Sequence, residues 1–318
     1  MKILITGAAG FIGFHLANYY LKKKYDVIGI DNLDNYYSVK LKKKRIDLLK
    51  KNKKFKFIKI DIASNKLEQT LNTYKFELVI HLAAQAGVRY SLINPKKYIK
   101  SNINGFCNLF ESINHKKLKK VIYASSSSVY GDTKKVPTSE NHNLSPKNIY
   151  GYSKLVNENM ANYYSKKFLI PFIGLRFFTI YGTWGRPDMF ILKALSAKNK
   201  KKKFYLNNNG NHLRDFTSIK DVIKICSKIV NKKFSENNIY NVCSNNPQLI
   251  REVSEKISKL SGHINFINIK KHKADVLNTH GNNSKIKKDI KFKKFQNFDN
   301  ELVQIINWFK TIKKHNYF

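Results

Sequence analysis

Cysteine is nearly absent from this chain. Its three residues, Cys107, Cys226 and Cys243, lie far apart with no metal-type pairing. So sparse and odd a set excludes a disulfide framework and points to reduced thiols and a cytoplasmic setting. Long apolar runs are also lacking: no stretch approaches 18 residues without a charge, so no membrane span is expected. No secretory leader is expected from the amino-terminal residues, because the apolar run of residues 1–6 stops at Gly7. Acidic residues are scarce, 21 against 60 basic ones in 318 residues, a net charge of +39. A charge of that size invites a nucleic-acid reading. Against it, the lysines are scattered through the chain, with no basic tail and no aromatic–basic repeat. Asparagine and isoleucine are abundant too, as compositional drift would produce. Runs such as Lys22–Lys24, Lys42–Lys44 and Lys200–Lys203 read as solvated helix faces or loops, and no nucleic-acid partner is expected.

What is present is a strand–helix alternation. Strands are predicted at Lys2–Thr6, Asp26–Asp31, Phe55–Asp61, Leu78–Leu82, Lys120–Ala124 and Phe172–Phe178. Between them lie helices at Gly10–Lys23, Val39–Lys51, Leu67–Thr73, Ile99–Asn114 and 150–168. That order implies an α/β fold, a Rossmann-type doubly wound parallel sheet with ligands at the carboxyl edge. After Thr179 the texture changes to Gly-, Asn- and Pro-rich loops and shorter helices. We therefore expect a cofactor-binding domain over 1–175 and a smaller substrate-binding region over 176–318. Segments near 221–242 could return to the first domain.

Gly7-Ala-Ala-Gly10-Phe11-Ile12-Gly13 follows the first strand and opens a helix. Gly7 permits a sharp turn, Gly10 lets backbone approach a pyrophosphate, and Gly13 lets the helix pack closely on the strand. The N–H groups at the helix start then face the phosphates. Asp31 closes the second strand, where a carboxylate binds ribose hydroxyls and repels a 2′-phosphate, which favours NAD over NADP. Tyr150 and Lys154 are four residues apart and share a helical face. A lysine charge there is expected to lower the phenol pKa and make Tyr150 a usable base. Alone, that spacing is common by chance. It gains weight from Ala124-Ser-Ser-Ser-Ser-Val-Tyr-Gly131, which follows the fifth strand.

The Gly-x-x-Gly-x-x-Gly spacing, the serine turn and the Tyr-x-x-x-Lys pair are similar to those of extended short-chain dehydrogenases/reductases, the NAD-dependent epimerase/dehydratase group. This resemblance implies adenine contact by Asp61 and Ile62 and cofactor contact by Leu82, Ala83 and Ala84. It implies Ser126 as the hydrogen-bonding partner of the reacting hydroxyl, with Ser127 and Ser128 lining the sugar pocket. Four segments, 85–91, the serine turn, 176–182 and 184–189, resemble UDP-glucuronate 4-epimerases. That resemblance implies NAD as cofactor, a UDP-sugar as substrate and a homodimer. It assigns substrate contacts to Arg89, with Arg186 and Thr179 on the glucuronate carboxylate. It also places Arg214 on the diphosphate and Asp275 near the uridine ribose. Around the last of these the chain departs from the family pattern, at Ala274 and at His280-Gly281-Asn282. The serine turn carries no acid, which argues against a dehydratase or decarboxylase. Other readings remain: a 4-epimerase of UDP-glucose or UDP-N-acetylglucosamine, a dehydratase or decarboxylase, or a basic nucleic-acid binder on a Rossmann scaffold. A positive field would in any case attract an anionic nucleotide sugar.

Overall fold

A computed structural model describes the whole chain except residues 134, 271, 273, 274, 316 and 318, and the side chain of residue 314. Ala274 therefore lies outside the described residues. The strands, in chain order, are β1 (Lys2–Thr6), β2 (Asp26–Asp31), β3 (Phe55–Lys59), β4 (Leu78–His81), β5 (Lys120–Ser126), β6 (Phe172–Phe177), β7 (Thr179–Tyr181), β8 (Phe204–Asn207), β9 (Leu213–Ser218), β10 (Asn238–Val242), β11 (Pro247–Leu249) and β12 (Phe266–Ile269). Seven form one sheet in the order β10-β6-β5-β4-β1-β2-β3. Every neighbouring pair in it is parallel. The order reverses direction between β1 and β4, so a crevice opens there beyond the carboxyl ends of the strands.

Alternation along each strand builds a core on both faces. Ile3 and Ile5 of β1 pack with Phe14 and Leu16 of the helix Phe11–Lys22 on one side. Leu4 faces the other way, into a cluster with Phe106 and Phe110. Helix Ile219–Asn231 lays Val222, Ile225 and Ile229 on the first face, and β10 extends the sheet beside β6. A third apolar cluster, built from Tyr181, Leu195, Phe204, Phe216, Val253 and Leu302, supports a smaller region with sheets β11-β9-β7 and β12-β8. Among the described residues no helix is long and apolar enough to cross a membrane.

Two expectations need correction. The helix expected over Ile99–Asn114 begins as a π-helical turn, Ile99–Asn104, and becomes α-helical only over Gly105–Ser112. The wide turn turns Asn102 inward, where its amide bonds the backbone of Gln85 on both sides, at 2.7 and 3.1 Å. The run Lys42–Lys44 is not simply a solvated face. Lys43 and Lys44 are exposed, but Lys42 is buried, and Arg45 beside it is completely so.

Candidate active site

The phosphate turn shows why each glycine is needed. Gly7 has φ +71°, and a Cβ there would meet the Ala83 nitrogen at 2.9 Å. On Gly13 it would stand 2.1 Å from the Gly7 carbonyl oxygen. Helix Phe11–Lys22 begins at Gly10 with no side-chain cap and no acid in its first turn. Its first N–H groups thus face the crevice for an anion. Next to it Asp31 accepts from Ala9 N at 3.1 Å and Leu33 N at 2.8 Å. Burial pushes its carboxyl up, while Lys42, those two N–H groups and Arg45 pull it down. These residues fit an adenine dinucleotide: a cradle that a Cβ would fill, a helix start open to an anion, and a carboxylate at the second strand end.

Arg45 was not anticipated as part of this turn. Its Nη1 donates to the Ala9 carbonyl (2.9 Å) and the Tyr37 hydroxyl (2.9 Å). Its Nη2 donates to the carbonyls of Trp184 (2.5 Å) and Gly185 (2.8 Å). One buried side chain therefore ties the phosphate turn to the loop that carries Arg186. Thr6 has a comparable role at the end of β1. Its Oγ1 accepts from Leu82 N and Ala83 N at 3.1 and 3.0 Å, which fills both lone pairs. Its proton must then go to His81 Nδ1, 2.8 Å away. His81 is therefore neutral with its proton on Nε2, in keeping with a pKa that burial lowers to about 3.

Tyr150, Lys154 and Ser126 come together across the carboxyl edge of the sheet. The long helix Ile149–Phe168 is capped by Asn148, whose Oδ1 accepts from Gly151 N at 2.9 Å. Gly151 lets this helix start close to the serine turn: a Cβ would meet the Ser128 carbonyl oxygen at 2.6 Å. Burial pushes the Tyr150 phenol up, and a hydrogen bond from Ser126 and the charge of Arg186 pull it down. The expected lowering by Lys154 is not seen. Lys154 Nζ instead donates to the Ala124 carbonyl at 2.9 Å, and burial takes its own pKa down to about 8, against the pull of Glu158. Sharing a helix face is not enough; the shift depends on where the ammonium is aimed.

Every candidate catalytic, cofactor and substrate residue predicted from the sequence lines a single cavity of about 720 Å³. The residues expected on the cofactor side, Gly7, Gly10, Phe11, Ile12, Gly13, Asp31, Asp61, Ile62, Leu82, Ala83 and Ala84, are part of its wall. So are those expected on the substrate side, Arg89, Ser127, Ser128, Thr179, Arg186, Arg214 and Asp275. Asp61 accepts from Asn32 Nδ2 at 2.9 Å and Ala63 N at 2.8 Å. Arg89 and Asp275, 186 residues apart, form a two-bond pair at 3.1 and 2.7 Å. Arg214 donates to the carbonyls of Val276 and Leu277, at 3.0 Å each, and burial lowers its pKa to about 10. The described residues hold no cluster of three or more His, Cys, Asp or Glu suited to a metal ion.

Residues 3–243 match the NAD dependent epimerase/dehydratase family. The chain belongs to this family. Protein CapI of Staphylococcus aureus is 38% identical to it, over 97% of this chain and 98% of that one. UDP-glucuronate 4-epimerase 4 of Arabidopsis thaliana is 35% identical, over 97% of this chain and 75% of that one. The fold is similar to the crystal structure of UDP-glucuronic acid 4-epimerase from Bacillus cereus in complex with UDP-glucuronic acid and NAD. The TM-score is 0.92 at 32% identity, covering 98% of this chain and 100% of that one. The family accounts for the seven-stranded parallel sheet and for the placement of the glycine turn, serine turn and Tyr150 around one crevice.

Proposed function

We propose that the chain is an NAD-dependent UDP-glucuronate 4-epimerase, an isomerase that forms UDP-galacturonate for surface polysaccharide synthesis. The observation that carries this reading is one cavity holding a tyrosine–serine pair, an open phosphate turn and a guanidinium, with only serines in the turn between Ala124 and Val129. The relatives and the structural neighbour named above support it by their own activities and ligands. Residues 1–175 supply the cofactor cradle and the reacting side chains; residues 176–318 mainly hold the nucleotide sugar. Reduced thiols support a cytoplasmic enzyme. Ile99, Tyr152 and Tyr163 leave large apolar surface exposed and support a homodimer.

When bound, the cofactor supplies reversible acceptance of a hydride at C4. The chain's residues do the rest. Ser126 holds the sugar 4-oxygen while Tyr150 takes its proton, a transfer of the kind that general bases accelerate by about 10²–10⁴-fold. Lys154 holds positive charge beside the site. Arg186 and Thr179 bind the glucuronate carboxylate, where a guanidinium offers parallel donors. Ser127 and Ser128 line the sugar pocket, and Arg89, Arg214 and Asp275 hold the nucleotide side. The 4-keto sugar formed on the way is a β-keto acid, prone to losing carbon dioxide. Fixing its carboxylate denies the orientation that loss requires.

The test is incubation of the purified protein with UDP-glucuronate, without reductant, and resolution of the products by chromatography and NMR. Reversible formation of UDP-galacturonate with no net NADH is the expected result. No conversion would overturn the substrate assignment, and a pentose as main product would overturn the reading of the serine turn.

A further inference from the structure

The guanidinium assigned to the sugar carboxylate already holds a carboxylate of the chain itself. Arg186 Nε donates to Asp188 Oδ1 at 3.0 Å, and Nη2 donates to Asp188 Oδ2. Asp188 thus occupies one edge of the fork with two of its five N–H groups. The edge formed by Nη1 and the outer N–H of Nη2 is left for a second acceptor. Both residues line the cavity.

Asp188 is itself held. The Tyr36 hydroxyl donates to Asp188 Oδ2 at 3.2 Å, and the Arg186 guanidinium lies 5.8 Å from the Tyr36 ring centre. Tyr36 has little freedom to move. Its ring packs on Tyr90 at 5.0 Å, and its backbone N–H donates to Asp34 Oδ1 at 2.8 Å. Gly87 faces its hydroxyl so closely that a Cβ would sit 2.3 Å from that oxygen. The backbone just before Arg186 is fixed as well, through the carbonyls of Trp184 and Gly185 on Arg45. Arginine ordinarily loses much rotamer freedom on binding. Here that cost has been met before any ligand arrives.

We propose that Asp188, braced by Tyr36, is a positioning residue that presents the Nη1/Nη2 edge of Arg186 to the carboxylate of the sugar and so sets selectivity for a uronic acid over a neutral sugar. This rests on the reading of Arg186 as the carboxylate-binding residue. Two effects oppose each other at Asp188. Its negative charge repels an incoming carboxylate, while its two bonds hold the guanidinium in the orientation the ligand needs. The two acceptors take different edges of one fork that meet only at Nη2, so the guanidinium charge lies between them and attracts both. Orientation is then the larger effect, and selectivity falls when Asp188 is neutralised.

The experiment measures dissociation constants by calorimetry on the NAD-loaded protein for UDP-glucuronate and for UDP-glucose, which shares the nucleotide and lacks the carboxylate. Asp188→Asn should weaken UDP-glucuronate tenfold or more and leave UDP-glucose within twofold. Tyr36→Phe should move in the same direction by a smaller factor, and it keeps the ring packing should Asp188→Asn fold poorly. Asp188→Asn added to Arg186→Met should cost nothing beyond Arg186→Met. Tighter or unchanged UDP-glucuronate binding by both Asp188→Asn and Tyr36→Phe overturns the proposal, as does equal loss of both ligands. If Arg186→Met itself fails to discriminate the two ligands, the carboxylate role of Arg186 falls, and the proposal with it; that outcome is read from Arg186→Met alone.

Discussion

Glu158→Gln tests the buried wall behind the serine turn. Glu158 lies one helical turn beyond Lys154 and accepts from Arg176 Nε at 2.9 Å and Nη2 at 2.8 Å. Both side chains are only 4% exposed, so solvent screens this pair little. Ser125 Oγ donates to the same carboxylate at 2.5 Å, and Arg176 Nη1 continues to the Tyr130 hydroxyl at 2.8 Å. An amide at position 158 removes the charge and sets an NH₂ against guanidinium donors. An uncompensated buried cation remains, which costs about 3–5 kcal/mol. For 318 residues, an unfolding entropy of roughly 2.1 cal/mol/K per residue makes that a Tm loss of roughly 4 to 8 °C. The assay is equilibrium urea unfolding and thermal unfolding of the NAD-free protein, so that ligand linkage does not enter. Glu158→Leu combined with Arg176→Met should recover a large part of the loss, because no charge is then left unpaired. A single variant within about 1 kcal/mol of the wild type would refute the reasoning, as would a double variant no better than the single.

Tyr150→Phe should lower kcat by at least about 10³-fold with the far-UV spectrum and NAD binding unchanged; turnover near the wild-type rate would remove Tyr150 as the base. Lys154→Met should inactivate the enzyme yet stabilise the NAD-free chain at pH 7. Its folded pKa of about 8 lies below the ordinary 10.5, so below pH 8 the ammonium is charged in both states and its full burial cost counts against folding. Between pH 8 and 10.5 only the unfolded chain keeps the proton, and wild-type stability rises with pH through that window. The advantage of Lys154→Met, about 3 kcal/mol at most and reduced by the lost bond to Ala124, should therefore shrink between pH 8 and 10.5. A variant less stable than wild type at pH 7 would contradict this. Gly13→Ala places a methyl against the Gly7 carbonyl, opening the phosphate turn. The purified protein should bind NAD at least tenfold more weakly by calorimetry, and unchanged affinity would show that the turn has room to spare.

Much of the fold is legible in the sequence because its signals are local. The strands of a parallel sheet buried on both faces read as short apolar runs, and β1, β2 and β4 to β6 lie where such runs predict. The glycine turn is equally local, since its requirements concern a few residues of backbone. What could not be read were contacts whose partners are set by the fold. Arg45 sits in a lysine-rich helix and resembles any surface cation until the loop at 184–185 covers it. Asn102 stands in an ordinary helical stretch, with no feature of composition to mark a π turn. Arg186 and Asp188 are near neighbours in sequence, yet only the loop's path turns both toward one cavity.

These buried polar groups share a placement that bears on why the chain keeps them. Arg45, Asp31, Lys154, Glu158 and Asn102 are all buried, and each lines the cavity or bonds a residue that does, while buried Arg176 reaches the wall through Glu158. Apolar residues of similar volume would often fill such positions with equal or greater stability. Apolar contacts, however, tolerate sliding, whereas a guanidinium bonded to three carbonyls and a hydroxyl allows one arrangement. Arg45 fixes the phosphate turn and the Trp184–Gly185 loop in a single frame. Lys154 and Glu158 flank the strand end that carries Ser125 and Ser126. Hydride and proton transfers fail over displacements of about 1 Å, and directional bonds hold a wall to that tolerance. The charge buried behind this cavity is therefore best understood as a cost in folding stability that secures geometry at the reacting atoms.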